Sequence, residues 1–420
     1  MWLAANWSEP ENLLPRRRSV VIPLLAVLLV LLWAVVQTLP IVPESWAHPI
    51  WSMASGALGY PLPATISLNP WRTEAEILKL TGSVAACWLA YSMAQRAETA
   101  RLLFNAVIAT GAFYALYGFV LILADVTQAQ LIYGVPFSRP FVTGPFMLHN
   151  SFATYAGLAT LAAVTRLFAS GSETVVAKRG GRQLAVTVIQ FVFGRGAILI
   201  VAAIVLFAAV IASASRGGFA ATSCGLAAMA IVSLFHVRGR PARLWLTLGV
   251  LATAAPLFFL VLGGGNKLSD RVVELVDAGD ADAGRLALWA ATRHMIADAP
   301  WTGLGLGSFQ DAYPLYATQV FAFVMDKAHC DYLEFAAGIG LPAAIAWWMA
   351  LTWLAILCLR GALARRRNQL FALTAFGATV LVAVHSSADF SLQIPAVALV
   401  YAALLGVGLA QSERTAVKAA

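Results

Sequence analysis

Stretches of about twenty apolar residues, the length that crosses the hydrocarbon core of a bilayer as a helix, recur along this chain. They fall near 19–39, 76–94, 102–124, 150–169, 196–214, 217–236, 244–263, 336–359, 370–388 and 391–410. With 60% hydrophobic and 11% charged residues, the chain lies far from soluble composition. The reading is an all-α, polytopic membrane protein of about ten to twelve helices. Two segments set that range: 183–194, too short to span and expected at the interface, and 40–70, rich in Pro and Trp and expected as a re-entrant or surface loop.

Cations orient the frame. Arg16, Arg17 and Arg18 precede the first span, and Arg96 and Arg101 follow the second. Arg166, Lys178, Arg179, Arg182 and Arg195 sit at the fourth-to-fifth connection, and Arg238, Arg240 and Arg243 after the sixth span. Arg360, Arg365, Arg366 and Arg367 follow the eighth, and Arg414 and Lys418 come last. All fall on one side of a ten-helix frame, which the positive-inside rule makes cytoplasmic, together with both termini. The net charge of +8 is therefore a topology signal and does not point to nucleic acid. The first span lacks a small-residue cleavage site and is expected to be retained. Cys87, Cys224 and Cys358 fall inside spans and Cys330 outside them, so neither an outer disulfide nor a metal-type spacing is expected.

One polar island interrupts the spans. Gly264 to Glu334 carries half of the acidic residues and, by this orientation, faces the periplasm. Long ordered loops of this kind carry function. The expected organisation is therefore 1–263 as about seven N-terminal spans, 264–335 as the catalytic loop, and 336–420 as about three C-terminal spans.

Several segments bear chemistry. Ser215-Arg216-Gly217-Gly218 joins two apolar runs at the outer end of the fifth span. It reads either as a tight turn with an interfacial arginine or as a guanidinium beside exposed N–H groups at a helix start, suited to a diphosphate. In the island, Asp282 to Ile296 has helical periodicity, with Asp282 as its cap and Arg285 and Arg293 flanking Trp289 on one face. That helix either lies on the membrane with its arginines snorkelling, or turns a cationic, aromatic face to a lipid phosphate and sugar. Pro300 to Phe309 alternates glycine with apolar residues, a structural turn rather than a nucleotide loop. Asp277, Asp280 and Asp282 read as a mobile linker in preference to a metal site. Asp331 and Glu334 have capping-box spacing ahead of the eighth span. His329 lies just before that helix start, where the dipole favours neutral imidazole, a proton acceptor near neutral pH. His385 and Asp389, four apart, are expected on one helical face near the outer surface, as a functional or a structural pair.

Taken in order, these segments resemble the O-antigen ligase and polymerase family of bacterial inner-membrane glycosyltransferases. The resemblance rests on Ser215–Gly218, Arg285 with Trp289, Pro300–Phe309, His329 with Tyr332-Leu333-Glu334, and Val384–Pro395, along most of the chain from about 100 onward. It implies transfer of a glycan from an undecaprenyl-diphosphate carrier, on the periplasmic face, to lipid A–core in a ligase or to another lipid-linked glycan in a polymerase. It assigns Arg216 and Arg285 to the diphosphate and His329 to activating the acceptor hydroxyl. Arg293, Trp289, Asn150 and Tyr332 are expected substrate contacts, and neither cofactor nor metal is expected. Two positions depart from the family pattern: Cys330 stands where Asn commonly follows the histidine, and Gly144-Pro-Phe146-Met-Leu148-His149-Asn150 lacks the first Asn of Gly-x-Phe-x-Asn-x-Asn. A transporter or flippase for lipid-linked sugar is the rival class. It predicts mid-span charges and inverted repeats, and the sequence has few of the former and no evident trace of the latter. A structural assembly subunit ranks last.

Overall fold

The structure is a computed structural model and describes residues 18–124, 129–130, 136–137, 141–176, 186, 190–236, 279–317, 324–365 and 368–412. The expected span 244–263, island residues 264–278 and half of 183–194 lie outside them.

Helices dominate. In chain order they are α1 (Arg18–Thr38), α2 (Ile50–Leu58), α3 (Pro70–Met93), α4 (Ala97–Leu123), α5 (His149–Val176), α6 (Arg195–Ala212) and α7 (Arg216–His236). There follow α8 (Gly279–Asp298), α9 (Phe309–Tyr316), α10 (Asp331–Ile339), α11 (Leu341–Ala364), α12 (Gln369–His385) and α13 (Pro395–Ser412). A two-residue antiparallel pair, Ala129–Gln130 with Pro136–Phe137, accompanies them. By length and composition α1, α4, α5, α7, α11 and α13 can cross a membrane, while α6 and α12 are apolar but shorter. The protein is all-α and polytopic, as a bilayer demands when backbone groups must be satisfied within each segment.

Three expectations change. The apolar run from 336 is not one span: α10 ends at Ile339, Gly340 takes φ 79°, and α11 begins at Leu341. A Cβ at Gly340 would strike the Trp301 carbonyl, so the break is a packing requirement. Helix α8 begins at Gly279, which places Asp282 inside its first turn instead of at the cap. Helix α12 stops at His385, so His385 and Asp389 do not share a helical face.

The chain divides into two compact units. The first comprises residues 1–85, 270–354 and 386–395; the second comprises 86–269, 355–385 and 396–420. In the first, Val27, Val30 and Ala34 of α1 pack with Leu306, Phe335, Ile339 and Trp347. A neighbouring cluster joins Leu288, Ala291 and Met295 of α8 to Leu304, Phe309, Tyr313, Ala328 and Ala337. In the second, α5 is central and packs against α4, α6, α7 and α12. Small residues set those approaches: a Cβ on Gly157 would strike Thr222, and one on Gly225 would meet the Gly377 carbonyl at 2.8 Å.

Candidate active site

The glycine run is the first unit's brace. Gly303, Gly305 and Gly307 all have positive φ (70°, 104° and 75°), and a Cβ at Gly303 would strike the Gly338 carbonyl. This lets the segment lie against the end of α10, where Leu304 N–H donates to the Ala337 carbonyl and Gly305 N–H to the Gly338 carbonyl, both at 2.9 Å. Gln37, fully buried at the end of α1, completes the joint. Its amide donates to the Thr302 and Gly338 carbonyls at 2.7 and 2.8 Å and accepts from Leu306 N–H at 3.2 Å. Sequence reasoning missed Gln37, although a polar side chain within an apolar span is a signal in itself.

On this brace sits the segment that carries His329. The Trp289 indole of α8 donates to the Ala328 carbonyl at 3.1 Å, so the helix bearing Arg285 is tied to the residue before the histidine. Glu334 accepts from Ala328 N–H at 2.8 Å and pairs with Lys327 at 3.2 Å. Lys327 also bonds Gln393. Burial opposes charge on Lys327, but Glu334 and Glu76 outweigh it and hold the ammonium's pKa above the ordinary lysine value. The expected capping box is not formed. Cys330 is the N-cap residue and makes no side-chain cap bond, while both carboxylates are used in tertiary contacts. Asp331 accepts from Ser386 Oγ at 2.8 Å and from Gln393 Nε2 at 3.0 Å, and its own N–H donates to the Ser386 and Asp389 carbonyls. The 386–395 segment is thereby pinned to the start of α10. Burial pushes the Asp331 carboxyl up to about 7, against the two donated hydrogen bonds, with Glu334 and Asp389 adding to the rise.

His329 itself has φ 51°, the left-handed region, where a side chain is strained by roughly 1–2 kcal/mol. Its side chain is 29% exposed, and its buried Nδ1 faces Asp389 Oδ1 at 3.6 Å, just past hydrogen-bond distance. Phe390 packs edge-on against the imidazole at 4.9 Å. Strain of this kind clusters at functional sites. The arrangement resembles an imidazole oriented by a carboxylate, with the other ring nitrogen left for a reacting group.

Other predicted residues are dispersed. On α8, Leu288, Ala291 and Met295 turn into the protein's own core, so its apolar stripe is buried in protein and not in lipid. Arg285 and Trp289 lie half-buried on the flank of that face, and Arg293 is exposed a further turn along. The Tyr332 ring packs on Trp348 with centroids 4.6 Å apart. Asp389, which does not continue the His385 helix, faces His329.

Arg216 and Asn150 belong to the second unit. Arg216 is the exposed first residue of α7, and Ser215 caps that helix by accepting from Gly218 N–H at 3.0 Å. A Cβ at Gly218 would strike Ala153, so glycine lets α7 and α5 close together. Asn150 lies half-buried in the first turn of α5, beside His149, whose Nδ1 is 2.9 Å from the Ser213 carbonyl. The Ser215–Gly218 segment is thus a capped helix start with an exposed guanidinium at its first position, a form compatible with either of the two readings. Among the described residues no three His, Cys, Asp or Glu are grouped as metal ligands.

No curated protein matches the chain. Residues 201–348 match the model of the O-antigen ligase family, a stretch that contains Arg216, Arg285, Trp289, Arg293, His329 and Tyr332 but not Asn150 or Asp389. With its apolar helices the chain is a membrane protein, and its residues 201–348 are similar to the O-antigen ligase family.

Proposed function

We propose that the protein is a metal-independent glycosyltransferase of the bacterial inner membrane. It moves a glycan from an undecaprenyl-diphosphate carrier to an acceptor hydroxyl at the periplasmic face, with lipid A–core as the acceptor. The observation that carries this reading is His329, held in a left-handed backbone with Nδ1 against buried Asp389, inside the segment that matches the family.

The chemistry follows from the residue types. Asp389 favours the tautomer with the proton on Nδ1, which leaves Nε2 to take the proton of the acceptor hydroxyl. The acceptor oxygen bonds to the anomeric carbon as the bond from that carbon to the diphosphate oxygen breaks. The negative charge that develops on the diphosphate needs fixed positive partners, the role assigned to Arg216 and Arg285. Trp289, Arg293, Asn150 and Tyr332 are assigned to the sugar and headgroup around them.

The test is transfer in vitro from a defined polyprenyl-diphosphate glycan to lipid A–core, with chelator present. Arg216→Ala, Arg285→Ala and His329→Ala are expected to lose transfer and keep membrane insertion; full activity in any one removes that residue from the site. In-line attack predicts inversion at the anomeric carbon, and retention seen by NMR of the new linkage contradicts it. A deletion strain that leaves a single repeat unit on the core, instead of bare core, replaces ligation by polymerisation.

A further inference from the structure

The start of α3 bears a stripe that the reaction above does not use. Trp71, Ala75 and Lys79 follow at four-residue spacing, with Arg72 and Glu76 in the adjacent row. Across from them lie Gly307, Gln310, Asp326 and Lys327, and together with Asn69 they line an open-sided cavity of about 570 Å³. That volume lies within the range of small-molecule sites.

Its lining is chemically specific. Every cation in the wall has a carboxylate partner: Arg72 Nε lies 2.9 Å from Asp311, Lys79 lies 2.6 Å from Glu76, and Lys327 pairs with Glu334. Asn69 also donates to Asp311, at 3.1 Å. The wall is therefore dense in hydrogen-bonding groups, its cations neutralised by carboxylates and Asp326 adding one carboxylate more, which suits hydroxyls better than an anion. Trp71 is 78% exposed and offers a flat apolar face, the complement of the C–H face of a sugar ring. Ala75, a small residue, lies between Trp71 and Lys79 in the lining, and at Gly307, with φ 75°, a Cβ would strike the Glu76 side chain. Lys327 precedes His329 by two residues, which limits their Cα separation to about 7 Å.

We infer that this cavity is a saccharide subsite, in which a neutral sugar unit of the donor or acceptor glycan stacks on Trp71 and bonds to Asn69, Gln310 and Asp326 beside His329. Its purpose rests on the glycosyl-transfer reading; its capacity to bind sugar does not.

The experiment uses the full chain in nanodiscs, with a soluble neutral hexose oligosaccharide as probe and its uronic-acid counterpart for comparison, read by calorimetry. Wild type and His329→Ala are expected to bind the neutral probe alike, while Trp71→Ala and Ala75→Leu, which fills the groove, weaken binding at least about tenfold. In transfer assays Trp71→Ala raises one KM by about tenfold and changes kcat little. A rise in the acceptor's KM assigns the sugar to the acceptor, and a rise in the donor's assigns it to the donor. Unchanged binding and KM values in both variants overturn the inference and leave Trp71 an interfacial anchor, and so does preference for the acidic probe. Probe binding at the cavity without transfer by wild type overturns the glycosyl-transfer reading and spares the subsite.

Discussion

The two units differ in where most of their buried polar groups find partners. In the second unit, hydroxyls mostly fold back on their own helix: Thr160 bonds the Ala156 carbonyl, Thr222 that of Gly218, Ser233 that of Met229, and Thr379 that of Ala375. Links between helices, such as Thr165 with Thr374 and Gln411 with the Ala94 carbonyl, are fewer among the described residues. In the first unit the bonds run far along the chain. Gln37 reaches Thr302, Gly338 and Leu306; Thr73 reaches the Leu306 carbonyl; Trp289 reaches Ala328; Asp331 reaches Ser386 and Gln393. A helix in lipid satisfies its own backbone, so its hydroxyls need no outside partner. Where the chain leaves the helix, side chains must take over that work. The first unit's polar bonds therefore hold a particular loop geometry, and at the centre of that geometry is a strained histidine.

If that joinery exists to present His329, the residue itself should matter for rate and not for stability. His329→Gly is the sharpest form of the test, because glycine adopts φ 51° without steric cost. Transfer is expected to fall about a hundred- to ten-thousandfold, the usual contribution of a positioned base. Thermal unfolding in detergent is expected to be unchanged or to shift upward, by up to about 1 kcal/mol. A variant that loses stability along with activity would make His329 a structural residue.

Breaking the joinery should do the reverse. Gln37→Leu leaves the Thr302 and Gly338 carbonyls and the Leu306 N–H without their side-chain partner in a buried site. The Gly338 carbonyl keeps its bond from Gly305 N–H, so two groups are left unsatisfied, and at about 1–3 kcal/mol for each the loss is expected to reach about 2–6 kcal/mol. Proteolysis of the first unit in nanodiscs reads it, and a loss below about 1 kcal/mol would show that the glycine brace stands without α1.

A smaller effect, with a pH signature, is expected at Asp331. Its carboxyl is raised from the ordinary value of 3.8 to about 7, so between these values the folded protein binds more protons than the unfolded chain. Stability should therefore fall as pH rises from about 4 to about 7 and level off above that. Asp331→Asn is expected to flatten this slope in melting curves recorded across the same window. An undiminished slope would assign it to other groups.

The same contrast explains what could be read from the chain alone. Apolar length identified the helices of both units because it depends on one contiguous segment and on lipid. The order of their motifs singled out His329, Arg285 and Trp289, which fall in the first unit, and the cost of a cation at the hydrocarbon edge singled out Arg216, which falls in the second. Spacing misled wherever a tertiary partner displaced a local one. Asp331 and Glu334 have the spacing of a capping box, yet Ser386, Gln393, Ala328 and Lys327 take their oxygens. His385 and Asp389 are four apart, yet the helix stops between them and Asp389 turns to His329. Gln37 carries no spacing signal, since its three partners lie more than 260 residues away.

The mildest expected effect lies in the second unit and completes the comparison. Ser233 is buried in α7, and its hydroxyl bonds the Met229 carbonyl at 2.7 Å, an oxygen one turn back on its own helix. Removing that hydroxyl leaves no backbone group without a partner, because a carbonyl inside a helix already receives the N–H four residues on. Alanine is also the better helix former, and back-bonding serine slightly disfavours the helix. Ser233→Ala is expected to change unfolding free energy by no more than about 0.5 kcal/mol, against several for Gln37→Leu. Equal losses in the two variants would dissolve the distinction between local and long-range polar bonding, and with it the argument that the first unit's bonds are there to hold a site.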